Sequence, residues 1–182
     1  RGTELLRAVA ERVRGKGPLL YFDSGDPAVK ESGIPALLEV LRKPGVDVLS
    51  VNENEAVRFA VHLGWRTPTS PLHEAAREAA AFLAEALGLA VDLHTIHFSA
   101  SFSPGGLVAE VPTFDIVPLR STGAGDAWNA GNIAGYIAGL DPEDRLLLAN
   151  AVAGYYISSP EGAHPAPSDL LAWSEAHKLR GG

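Results

Sequence analysis

Apolar side chains recur at helical spacing from Thr3 to Arg14, through Leu5, Leu6, Val9 and Val13, with charges between them; Gly15 to Pro18 interrupt the pattern. The spacing predicts an amphipathic helix. Pro18 to Asp23 is a short apolar run closed by a Ser-Gly-Asp-Pro turn, which reads as a buried strand with Asp23 at its carboxyl end. The same reasoning predicts a helix over Ile34–Leu41 stopped by Pro44-Gly45, a strand over Val46–Val51 with Asn52 at its tip, and a helix over Glu53–Leu63 ended by Gly64. Thr67 to Pro71 reads as a connecting loop, and the Ala-rich Leu72–Leu87 as a strong helix. Val91–Phe98 and Leu107–Val111 read as two strands joined by a turn containing Pro104, Gly105 and Gly106.

Beyond Pro118 the pattern turns helical, with helices expected over Ala124–Ala138, Pro142–Ser158 and Pro167–Leu179. Strands alternating with helices predict an α/β fold built on a mostly parallel sheet flanked by helices. Open sheets of this kind bind ligands beyond the carboxyl ends of their strands, where Asp23 and Asn52 are both expected. The chain contains no internal repeat and no low-complexity segment.

Composition narrows the class. The chain has 182 residues, 46% hydrophobic and 20% charged, which suits one core and excludes a disordered or collagen-like chain. No apolar run reaches the roughly 18 residues of a membrane span, and charges at Glu4, Arg7, Glu11 and Arg12 are unlike a signal peptide. A cytoplasmic location follows by default. A net charge of −7 and a pI near 5.3 argue against a broad surface for nucleic acid or anionic membrane. The absence of Cys excludes disulfides, a thiolate nucleophile and Cys-ligated zinc. Cys, Met and Gln are all missing, and there are five Asn and eleven Arg against four Lys. That bias fits a heat-adapted (thermophile) protein, and fits GC-rich codon usage equally well.

The most informative stretch is Ser121-Thr-Gly-Ala-Gly-Asp-Ala-Trp-Asn-Ala-Gly131, where a loop enters a long helix. Gly123, Ala124 and Gly125 are placed to offer backbone N–H groups at the helix N-terminus, where orphan donors and the macrodipole stabilise an anion. Asp126 follows in the first turn, where charge–dipole attraction already favours a carboxylate. For a Gly-x-Gly-Asp alone, that ordinary role outweighs a catalytic one.

The whole block resembles the second signature of the PfkB, or ribokinase-like, carbohydrate kinase family, which ends in Gly-Ala-Gly-Asp followed by an aromatic residue and Asn. Here these are Gly123 to Asp126, Trp128 and Asn129. The resemblance implies that Asp126 is the catalytic base. It also implies that Gly123, Ala124 and Gly125 form an anion hole for the transferring phosphoryl group, with Thr122 beside the nucleotide. The physical reading agrees, because phosphoryl transfer is catalysed mainly by positioning and electrostatic stabilisation. Asp126 would accept the proton of an acceptor hydroxyl.

Val51-Asn-Glu-Asn-Glu55 contains an Asn-x-x-Glu pattern that looks like the family's magnesium and phosphate motif, here Asn52 and Glu55. Mg²⁺ keeps several waters, so these two side chains would serve it largely through water. Glu53 and Glu55 also simply favour a helix start. The two motifs lie in the family's order, about 70 residues apart. A P-loop kinase is excluded by the missing Gly-Lys-Ser/Thr, and a dinucleotide-dependent oxidoreductase lacks its Gly-x-Gly-x-x-Gly. Asn150 and Gly162 stand in segments similar to the helix and loop that flank the adenine in the family, although a helix-surface position and an ordinary turn explain them as well.

Two features within the chain depart from the family. Arg120 stands where an Asp is usual, six residues before Asp126, which leaves monovalent-cation dependence open. Its guanidinium is either a phosphate-binding cation or an exposed surface group. Ser99 to Pro104 replace the Gly-x-x-Gly stretch that lines the nucleotide, so ATP and ADP both stay open. His94 and His97, three apart on an expected strand, would point to opposite faces and form no metal pair; the other histidines are read as structural or exposed.

The resemblance covers nearly all of the chain as the C-terminal, nucleotide-binding portion of a single kinase domain. The N-terminal half, which carries the family's substrate-binding glycines and lid strands, is expected outside it. The implied activity is transfer of a phosphoryl group from ATP or ADP, with Mg²⁺, to a hydroxyl of a sugar, sugar phosphate or nucleoside. The implied partners are a nucleotide and a small sugar-like substrate, with no nucleic acid and no membrane; a homodimer stays open. The competing reading is a non-catalytic nucleotide- or sugar-binding regulatory protein on the same fold.

Overall fold

A computed structural model describes residues 2–17, 19–42 and 45–181, with the backbone alone at 27–29. Pro18 and Pro44, expected as an element boundary and a helix stop, lie outside the described residues. The chain divides into two compact units, Arg1–Leu93 with Ser101–Val108, and His94–Ala100 with Ala109–Gly182.

The first unit holds α1 (Gly2–Val13), β1 (Tyr21–Asp23), a 3₁₀ segment (Pro27–Gly33), α2 (Ile34–Leu41), β2 (Val48–Asn52), α3 (Glu53–His62), α4 (Leu72–Leu87) and most of β3 (Ala90–His94). β1 pairs in parallel with β2, Phe22 opposite Leu49. A parallel pair needs a crossover, which the 3₁₀ segment and α2 supply. Val48, Leu49, Ser50 and Val51 are all buried, as expected of a strand covered on both faces. On α4 the buried stripe is Ala75, Ala76, Ala79, Ala80, Leu83, Ala84 and Leu87. Its small side chains let α4 pack on α3, which buries Ala56, Phe59 and Ala60. Phe59 is fully buried, worth about 1.5–3 kcal/mol in transfer from water.

With β4 (Phe98–Ser103) and β5 (Gly106–Pro112) the sheet has five strands in the order β1-β2-β3-β4-β5. The strand expected over Val91–Phe98 is in fact two. Thr95 breaks it: its hydroxyl oxygen accepts from the N–H groups of His97 (3.0 Å) and Phe98 (2.9 Å) and donates to the Phe98 carbonyl (2.7 Å). A local side-chain bond thus competes successfully with the ladder and turns the chain. His97 consequently lies in the turn, not on a strand face.

The second unit contains α5 (Ala124–Ala138), α6 (Pro142–Ser158) and α7 (Pro167–Ala176). α5 and α6 pack together because Gly131 removes a side chain where a Cβ would stand 2.8 Å from the Ala149 Cα. Trp128, Leu146, Ala149 and Ala109 form the local core, with Val111 and Ala153 against it. Arg145 is buried, hydrogen-bonded to Asn132 and 3.9 Å from the centre of the Tyr136 ring. α7 stops short of the expected Leu179. The His177 ring stacks on Trp173 at 4.2 Å and its Nδ1 lies 2.7 Å from the Trp173 carbonyl. The backbone then runs extended, and Leu179 bridges antiparallel to Phe114.

Candidate functional site

Asn52 and Glu55 meet at the start of α3. The Asn52 Oδ1 accepts from the Glu55 N–H at 3.0 Å, and the Glu55 Oε2 accepts from the Asn52 N–H at 2.9 Å. This is a reciprocal capping box, which satisfies two orphan donors of the helix. Glu55 is only 6% exposed, and burial pushes its pKa up to about 7; the Asn52 backbone hydrogen bond opposes this, and the charges of Asp23 and Asp26 add to it. Asp23, at the end of β1, uses its Oδ1 to accept from the Gly25 N–H at 2.7 Å. The box engages one Glu55 oxygen, Oε2. Among the described residues, no group of three or more His, Asp or Glu side chains is arranged to hold a metal.

In the second unit, Gly123 is the N-cap of α5, with φ 83°, and no side chain caps the helix. The Ala124 N–H turns back to the Ser121 carbonyl at 3.1 Å. That bond occupies the Ala124 amide within the turn. Ser121, Thr122 and Asp126 are exposed, while Gly123 to Gly125 are half-buried. Two rings close on this backbone. A Cβ at Gly123 would lie 2.7 Å from the Tyr156 hydroxyl oxygen, and one at Gly125 would lie 3.3 Å from the His94 Cε1. Sequence reasoning weighs His94 only as a metal ligand and does not mark Tyr156. His94 ends β3, just before the Thr95 turn, and Tyr156 lies in the last turn of α6.

Asn150 does not lie on a helix surface: it is 4% exposed. Its Oδ1 accepts from Ser99 Oγ at 2.6 Å and Trp128 Nε1 at 2.9 Å, and its Nδ2 donates to the Pro112 carbonyl at 3.1 Å. With oxygen and nitrogen both engaged in the core, its amide ties α6 to β4, β5 and α5. Gly162 sits in the loop after α6 with φ 66°, its N–H donating to the Ser159 carbonyl at 3.2 Å. Arg120 packs directly against it. A cavity of about 240 Å³ beside α3, lined by Glu31, Arg58 and His62 among others, contains none of the expected site residues.

A family model described as prokaryotic ketohexokinase matches residues 25–176. The chain belongs to the prokaryotic ketohexokinase family. No curated protein matches it. An adenosine kinase from Sinorhizobium meliloti is 22% identical with a TM-score of 0.75, over 97% of this chain and 50% of that one. A ribokinase from Thermotoga maritima is 21% identical with a TM-score of 0.72, over 95% and 53%. An Escherichia coli structure assigned to ribokinase II, in complex with ATP and Mg²⁺, is 20% identical with a TM-score of 0.68, over 92% and 52%.

These likenesses show a ribokinase-like fold, as the motif resemblance implies, and the chain spans about half the length of each structure. No described helix is long and apolar enough to cross a membrane.

Proposed function

We propose that this chain is the nucleotide-binding portion of a sugar kinase, a single domain completed by residues outside it. It takes a phosphoryl group from ATP or ADP and passes it to a hydroxyl of a small acceptor. The family's description makes a ketohexose the first acceptor to test, ahead of sugar phosphates and nucleosides.

The observation that carries this reading is the start of α5. An exposed Asp126 stands in the first turn of a helix whose N-cap is a left-handed glycine and whose amides no side chain caps. Orphan N–H groups and the helix dipole there favour a phosphate, and they strengthen as charge develops on it. Asp126 takes the proton of the acceptor hydroxyl as the bond to phosphorus forms. Gly123 and Gly125 keep side chains out of the anion's path, and Thr122 borders the same turn. When bound, Mg²⁺ would neutralise polyphosphate charge; Asn52 and Glu55 would hold its waters.

The test is direct. The intact protein is incubated with Mg²⁺, ATP or ADP and a panel of ketohexoses, other sugars and nucleosides, and phosphorylated product is measured. Product with one acceptor class supports the reading. Nucleotide binding without product from any acceptor contradicts it and favours a regulatory binding protein.

A further inference from the structure

Several contacts of the second unit meet at Arg120. Its Nη2 donates to the Pro160 carbonyl. Its guanidinium carbon lies 5.8 Å from the centre of the Tyr156 ring, within cation–π range. Its Nη1 fills the space that a side chain at Gly162 would need. The same Tyr156 closes its hydroxyl over Gly123, the N-cap of α5, and stacks on His164 with centroids 5.0 Å apart. The loop is also held on itself, by Gly162 N–H to the Ser159 carbonyl and Ala163 N–H to Ser159 Oγ at 3.1 Å. An unbroken line of contacts therefore runs from residues 159–164 through Arg120 and Tyr156 to the turn that opens α5.

Arg120 Nε is buried with no hydrogen-bond partner. Leaving a buried donor unpaired is costly, so holding the guanidinium in this place works against local stability. A permanent cation is thus kept a few residues before the uncapped helix start, in a fork geometry that lysine lacks.

Resting on the kinase reading, we propose that Arg120 is a positioning residue for the phosphoryl donor. It locks the 159–164 loop to the α5 N-cap, and it places a fixed positive charge beside the polyphosphate of a nucleoside di- or triphosphate. Gly162 is required because any side chain there would displace the guanidinium.

The experiment uses the intact protein, with Arg120→Ala, Arg120→Lys, Gly162→Ala and the Arg120→Ala/Gly162→Ala double variant, each checked for native circular dichroism. Two readouts are taken: amide hydrogen exchange at 123–125 and 159–163, and equilibrium binding of ADP and ATP with Mg²⁺. Arg120→Ala should speed exchange in both segments together and weaken nucleotide binding by about tenfold or more, the scale of a lost charge-assisted hydrogen bond. Gly162→Ala should reproduce both effects, and the double variant should be no worse than the worse single one. Arg120→Lys should recover part of the binding without recovering the exchange protection. Where the parent turns over, the KM for the acceptor should not move.

Unchanged nucleotide binding in folded Arg120→Ala overturns the proposal, as does loosening of 159–163 with no change at 123–125. A parent that binds nucleotide through Arg120 but forms no product leaves the proposal standing and sinks the kinase reading. A parent that binds neither nucleotide overturns both.

Discussion

His94, the last residue of β3, stacks its imidazole on the indole of Trp128, with ring centroids 4.9 Å apart and planes 30° apart. The same imidazole lies 3.3 Å from where a Cβ on Gly125 would stand. The first turn of α5 thus rests against a ring that a buried indole holds, and its backbone has little room to move.

Gly125→Ala follows from that packing. Alanine is the better helix former, so the stability change should stay within about 1 kcal/mol. The methyl must still push the turn or His94 by a few tenths of an ångström, and small misplacements at a reacting centre cost large factors in rate. Urea unfolding should change little while kcat falls by about tenfold or more. Unchanged kcat would remove Gly125 from the site.

Asn150→Ala should act on the fold, not on nucleotide recognition. It takes the acceptor from the Ser99 hydroxyl and the side-chain donor from the Pro112 carbonyl in a buried network, while Trp128 Nε1 keeps Ser99 Oγ as its acceptor at 3.0 Å. The expected loss is about 2–4 kcal/mol in urea unfolding, with the nucleotide dissociation constant of the folded fraction within about twofold of the parent. A variant of parental stability with lost nucleotide binding would return Asn150 to the binding site.

Glu55 should make stability pH-dependent. Burial, above all, lifts its pKa from the ordinary 4.5 to about 7. Between those values the folded chain binds more protons at this group than the unfolded chain does, so its contribution falls as pH rises through the window. Glu55→Gln keeps a capping-box partner and should flatten that dependence, as read from urea midpoints between pH 4.5 and 7.5. If Glu55 also serves Mg²⁺, the same variant needs more Mg²⁺ for half-maximal rate. An unaltered pH profile contradicts the first claim, and an unaltered Mg²⁺ requirement contradicts the second.

Hydrophobic spacing located α2, α4, α5 and α6 to the residue, because long apolar stripes with clear stops leave one register. It joined β3 to β4 because a threonine turn carries no glycine or proline to mark it; only the side-chain bonds of Thr95 reveal the break. The start of α5 at Gly123 was legible because a glycine entering a helix answers to backbone geometry, while the roles of Gly123 to Asp126 come from the resemblance alone. The hydrogen bonds of Asn150 were not legible, since order along the chain says nothing about what an amide faces. Tyr156, His94 and the Arg120 contact with Gly162 join residues far apart in sequence, and no local spacing carries that information.

The central claim rests on Asp126, exposed in the first turn of an uncapped helix. The most direct measurement is kcat and nucleotide KM for Asp126→Asn against the parent, using the intact protein, Mg²⁺ and the best acceptor found. A base that takes the acceptor proton predicts a fall in kcat of about 10²–10⁴-fold with nucleotide KM nearly unchanged. Retention of near-parental kcat in a folded Asp126→Asn protein would contradict the account.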